Sequence, residues 1–176
     1  MQLSILLLLT GISLPLYPAT PSTEYKLKAA LIYKLTKFIE WPEVQSDQSQ
    51  SSFGICLLGE DLFGEALDEL EERNVLEQSI TVYRFSQSDA IDARCQIVFI
   101  SKSKQAFVVP ILQSLKDRPI LTLSDMADFA KQGGMLQFTT GKKHVGFRIN
   151  LESAKQSNFV IAAPLLDIAT IISSKP

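Results

Sequence analysis

Six short apolar runs punctuate this chain: FGICLL (53–58), ITVYRF (80–85), CQIVFI (95–100), PILTL (119–123), MLQFT (135–139) and VGFRIN (145–150). Helical patterns separate most of them, and evenly spaced hairpin signals are missing, so the chain is expected to layer helices on a sheet. Helices are expected at 24–40, 61–73, 104–115, 151–157 and 163–172, with a short capped helix at 124–128 that ends before Gly133-Gly134. The runs at 135–139 and 145–150, joined by the turn TGKKH, read as a β pair, and a polar spacer at 43–52 reads as a surface loop. A length of 176 residues suits one domain. The expected fold class is therefore α/β: a single compact domain over 24–173, with a mixed β-sheet flanked by helices.

The first twenty residues hold no charge, and the run Ile5-Leu6-Leu7-Leu8-Leu9 fades into Gly11, Ser13 and Pro15. That is the form of a signal-peptide hydrophobic region, too short and too broken to cross about 30 Å of hydrocarbon. Residues 1–19 are expected to be a signal peptide cleaved near Ala19, leaving no membrane span, although Met1-Gln2-Leu3-Ser4 lacks the usual basic residue. A net charge of −2 and a pI near 5.5 give no general attraction for phosphate backbones or anionic lipid, so nucleic acid is not an expected partner.

Export bears on Cys56 and Cys95, because an oxidising compartment favours a disulfide and two thiols alone do not complete a zinc site. If their strand-like runs are neighbours in one sheet, a bridge closes a loop of about forty residues and stabilises by about 4 kcal/mol. A structural bridge leads, a redox-sensitive bridge follows, and two isolated buried thiols come third.

Catalytic signals are thin. Gly59-Glu60-Asp61-Leu62-Phe63-Gly64 has the glycine spacing of a phosphate loop, but Glu65-Ala66 stand where Lys and Ser or Thr are needed. Ser101 and Lys104 have an SxxK spacing without its companion motifs. His144 is the single histidine, and Asp89 and Asp92 lie in a polar stretch. No catalytic residue, metal site or cofactor is expected.

On a helical wheel, Tyr25, Leu27, Leu31, Ile32, Leu35, Phe38 and Ile39 share one arc, opposite Lys26, Lys34, Thr36, Lys37 and Glu40. Tyr33 projects among the polar residues, and Trp41 falls at the rim beside Ala30 and Lys34. The two aromatics either cover a second core edge or form a contact surface. Trp41-Pro42 also ends the helix, since a residue before proline is biased away from the α region.

The run KAALIYKLTKFIEWP (28–42) resembles the opening signature of the YfiR-like family of periplasmic proteins. The likeness continues in order through CLLG (56–59), DLFG (61–64), CQIVFIS (95–101), PILTLSD (119–125), FA (129–130), GGML (133–136), FRINL (147–151) and APLLD (163–167). The resemblance implies a non-enzymatic regulator in the periplasm, often a homodimer. Such a protein binds and represses the periplasmic sensor region of a membrane-bound diguanylate cyclase, lowering cyclic di-GMP and restraining biofilm formation. It also implies that Cys56 and Cys95 are the family's disulfide pair; the second pair of some relatives has no counterpart here. Tyr33 and Trp41, of the aromatic types enriched at interfaces, and the flanking cation Lys37 are the protein-contact candidates, and homodimer contact is a rival use of the same face. The alternative function is a periplasmic small-ligand receptor with a cleft at the strand ends, near Gly59 and Gly133-Gly134-Met135. A hydrolase using Ser101 and Lys104 is a third reading.

Overall fold

The computed structural model describes residues 22–42, 52–141 and 145–173. The expected leader at 1–19, nearly all of the 43–52 spacer and the His144 turn lie outside them.

Helix α1 (Thr23–Leu35) starts where the Ser22 hydroxyl accepts the Tyr25 N–H, and it stops five residues before the sequence pattern does. Thr36 turns its hydroxyl back onto the Tyr33 carbonyl at 2.7 Å, a single 3-10 turn follows, and the chain extends as β1 (Ile39–Glu40) ahead of Trp41-Pro42. The inward stripe is Lys28, Ala29, Ile32, Leu35, Thr36 and Ile39, whereas Leu27 and Phe38, expected inside, are 44% and 38% exposed. Two causes account for this shift. The early stop takes Phe38 off the helical spiral, and a buried ion pair turns Lys28 inward.

The main sheet has eight strands. Five of them, β2 (Ser52–Leu58), β4 (Gln78–Phe85), β5 (Ile97–Ile100), β6 (Leu121–Ser124) and β7 (Leu136–Thr140), run parallel in the spatial order β4-β2-β5-β6-β7. Antiparallel pairings close both flanks: β3 (Asn74–Val75) on β4, and β8 (Val145–Asn150) on β7. Beyond β8 lies β10 (Ala169–Ile172), parallel to it, and β1 pairs separately with β9 (Val160–Ile161). Both faces of the central strands are covered, so β2 and β5 are almost wholly apolar, and the polar residues buried in β6 and β7 include Thr122, Ser124 and Gln137. Phe53, Ile55, Leu57, Ile97 and Phe99 point toward α1 and α4 (Leu151–Gln156). Cys56, Leu58, Val98 and Ile100 point toward α3 (Val108–Leu115), which returns Val108, Ile111, Leu112 and Leu115 at helical spacing.

Several expected elements are shorter or different. The 61–73 helix is one turn, α2 (Glu65–Asp68), followed by a 3-10 turn, because Asp61 folds back onto the Phe63 and Gly64 amides and delays the start. The expected 124–128 helix is absent. Ser124 ends β6, donating to the Ile100 carbonyl at 2.7 Å, and turns lead to Gly133. The 163–172 helix is α5 (Ala163–Asp167), after which the β-branched stretch Thr170-Ile171-Ile172 joins the sheet through β10.

The disulfide links Cys56 to Cys95 with Cα atoms 5.6 Å apart, bridging β2 to the start of its neighbour β5. Gly54 makes this approach possible: a Cβ there would lie 1.8 Å from the Arg94 carbonyl oxygen. Instead, Gln96 N–H bonds the Gly54 carbonyl at 2.9 Å. Both sulfur-bearing residues are buried, at 0% and 2% exposure, which marks the bridge as structural. A Cys56→Ala/Cys95→Ala variant should lose about 4 kcal/mol in denaturant unfolding, from the loop closed over a sequence separation of 39. The wild-type bridge should resist reductant until the domain is unfolded, read as a mass gain of two hydrogens.

Candidate functional site

The outward face of α1 forms one wall of a groove of about 330 Å³; the other wall is α2 with the 3-10 turn after it. Lys26, Lys34, Lys37 and Arg73 stand around it, with Glu69 the acid among the lining residues. Ala30, Ala66 and Leu70 line it between them. Tyr33 is half-buried, its ring flanked by the Lys37 ammonium at 5.1 Å and the Arg73 guanidinium at 5.9 Å. Among the described residues, none of these four cations pairs with a carboxylate, whereas Lys28, Arg84, Arg94, Lys102 and Lys131 all do.

Tyr33 and Lys37 therefore come together, and Trp41 stands apart. Because the helix has already ended, Trp41 turns onto Phe53 and Phe159, with ring centres 5.0 and 5.4 Å away and edge-to-face geometry, and donates to the Thr36 carbonyl at 3.4 Å. The cysteine pair lies in the sheet core, away from the groove lining.

The carboxyl ends of the parallel strands are where α/β sheets of this kind hold ligands, above all at the point where the strand order reverses. Here that point is between β2 and β5, and it is closed. The Glu60 N–H donates to Ser103 Oγ at 2.9 Å. Gly59, at φ +104°, packs so closely that a Cβ would lie 2.5 Å from the same oxygen. Farther along, the first turns of α1 cover the ends of β6 and β7. Glu24 accepts from Thr140 at 2.9 Å, and Tyr25 packs edge-on to Phe63. Lys28, fully buried, reaches both Asp125 Oδ2 and Glu24 Oε1 at 2.5 Å. Tyr25 donates to the same Asp125 oxygen at 2.8 Å, and Lys102 stands 3.5 Å from it. Asp125 Oδ1 is buried with no protein partner.

Burial alone would push the Asp125 carboxyl up; the hydrogen bonds from Lys28 and Tyr25 and the two ammonium charges outweigh it and hold it below the usual range. Glu24 is likewise lowered, first by its bond from Lys28. Burial, then the Asp125 carboxylate, raises the Tyr25 phenol well above its ordinary range. Sequence reading misses this cluster: Asp125 falls in the expected capped helix at 124–128, and Lys28 is assigned to neither face of the wheel. The available signal was spacing, since Lys28 lies four residues before Ile32 and seven before Leu35, both buried.

The remaining motifs do not assemble. Lys104 extends to the Ser86 carbonyl at 2.6 Å, while Ser101 is buried and holds the Ser103 N–H. The glycine-spaced loop has its Phe63 and Gly64 amides occupied by Asp61, itself paired with Arg84. Asp92 pairs with Arg94, lowering its pKa. No group of three metal-ligating side chains occurs among the described residues, and no helix there is long and apolar enough to cross a membrane.

Fold and site together define a disulfide-stapled α/β domain whose β2–β5 crevice is closed by its own loops and whose α1 groove is rimmed by four cations without carboxylate partners. The family model described as YfiR/HmsC-like matches residues 25–170, and the chain belongs to that family, whose members are generally regulators without enzymatic activity. Among curated proteins no match was found.

Removing one partner of a buried ion pair strands the other, so Asp125→Ala should cost about 3–5 kcal/mol in urea unfolding. Lys28→Met/Asp125→Leu, which removes both charges, should retain most of the wild-type stability; equal losses would deny the pair its role. Asp125 and Glu24 titrate lower folded than unfolded, so their stabilisation is complete only above about pH 5, where the unfolded carboxyls are ionised too. It disappears as pH falls through the lowered folded values. Asp125→Asn should flatten that acid limb, and an unchanged limb would assign acid lability to other carboxylates.

Proposed function

We propose that this chain is an exported periplasmic regulator, processed near Ala19, that binds the periplasmic sensor region of a membrane-bound diguanylate cyclase and represses it. Less cyclic di-GMP is then made, and biofilm growth is restrained. The family match over residues 25–170 supports a regulator of this type, and the buried disulfide is consistent with export. The observation that carries the choice of surface is the half-buried Tyr33 among unpaired cations on α1. Aromatic residues beside cations are the types enriched at interface hot spots.

Repression has an energetic requirement. The regulator must bind the inactive form of the sensor region more tightly than the active form, and each tenfold preference shifts the equilibrium by about 1.4 kcal/mol. Pairing of two copies through the same face is the competing use of this surface. A small-ligand receptor would have to use a place other than the closed β2–β5 crevice; one such place is a cavity of about 430 Å³ between α3 and α4, bordered by Leu112, Lys116, Met135 and Gln156.

Two substitutions test the assignment by pull-down of the cyclase's periplasmic region and by thermal melting. Tyr33→Ala should fold normally and bind about tenfold more weakly. Trp41→Ala, which removes two aromatic contacts, should instead lose on the order of 3 kcal/mol of stability. Full binding by folded Tyr33→Ala would remove Tyr33 as a contact.

A further inference from the structure

The chain carries a net charge of −2, yet the α1 groove gathers Lys26, Lys34, Lys37 and Arg73 against one lining acid, Glu69. This is a local reversal of sign made by cations that take part in no ion pair. We propose that the groove recognises an acidic segment of a protein partner, in which an apolar side chain is flanked by carboxylates. The inference rests on the contact reading of α1 and specifies the chemistry that face accepts.

The groove matches such a segment in two respects. Ala30, Ala66 and Leu70 offer a small apolar bed beside the Tyr33 ring. The cations stand around that bed, so an entering carboxylate meets Lys or Arg on either side. Lys37 and Arg73 already rest on the faces of Tyr33, which holds their charges toward the groove without neutralising them. Unpaired like charges close together repel one another, and an arriving carboxylate relieves that repulsion, so the groove discriminates by sign.

A long polyanion fits less well. The opposite wall continues into Glu65 and Glu72, exposed acids on α2 and the 3-10 turn after it, which would repel an extended phosphate backbone. A short acidic stretch lying along α1 avoids them. The same acidic wall on a second copy of the chain is the competing occupant, and the test separates it.

The mature protein would be titrated, by fluorescence anisotropy, against a labelled Asp-Glu-Leu-Asp-Glu peptide and, by calorimetry, against the cyclase's periplasmic region. Lys34→Glu/Lys37→Glu should weaken both by at least about tenfold with the melting temperature unchanged, and Lys34→Arg/Lys37→Arg should restore them. Raising NaCl from about 50 to about 500 mM should weaken wild-type binding and leave the reversed variant nearly unaffected. Absence of peptide binding, or equal affinities for wild type and the charge-reversed variant, would overturn the inference. A change in oligomeric mass by light scattering, without a change in peptide affinity, would also overturn it by assigning the groove to a second copy. Cyclase binding that ignores the reversal sinks the groove but leaves the regulatory reading standing. Peptide binding with no cyclase binding does the opposite.

Discussion

The ion pair between Lys28 and Asp125 sets the orientation of α1, and through it the character of the protein's surface. A fully buried ammonium is tolerated only when its charge is answered, and Asp125, Glu24 and the neighbouring ring of Tyr25 answer it at the ends of β6 and β7. Once Lys28 points inward, helical geometry leaves little choice for the rest. Ile32 and Leu35, four and seven residues on, follow it into the core, and Lys26, Tyr33, Lys34 and Lys37 are left facing the groove. One buried charge thus decides which other charges are available to a partner.

That arrangement also explains why the ordinary ligand position of a doubly wound sheet is absent as an open site. The loops after β2 and β5 close on each other through Glu60 and Ser103, and α1 covers the ends of β6 and β7. The chemistry that an enzyme or receptor of this topology would place there is instead consumed in holding the fold together. The disulfide does similar work from within the sheet, and Gly54 is its accomplice, because any side chain there would push the Arg94–Gln96 backbone away from β2.

Much of the fold was legible in the sequence. The six apolar runs all lie in strands or directly adjoin them; in β2 and β5 continuous burial on both faces demands apolar residues with little alternation, whereas β4 and β8 are buried only in part. Three other features resisted. The β3–β4 hairpin turns on Leu76 and Glu77 at positive φ, without the Asn-Gly or Asp-Gly signal that usually announces such a turn. The segment 163–172 satisfies helical spacing, and only the free edge of β8 recruits its second half as β10. Trp41 was placed on a wheel that no longer applies after Leu35.

The sequence by itself determined the layered α/β class, the cysteine pair available for bridging, the family pattern and the placing of Ile32, Leu35 and Ile39 on the inner side of the first helical segment, because each depends on residue type and local period. Tertiary structure alone decided that Lys28 faces inward, that Asp125 meets it across 97 positions of chain, and that Arg73 joins the lysines of α1 around Tyr33. Those outcomes depend on which distant groups come within a few ångströms, where desolvation makes the sign and pairing of charge decisive. Helical period records which residues share a face; only packing against the sheet decides which face is turned to water.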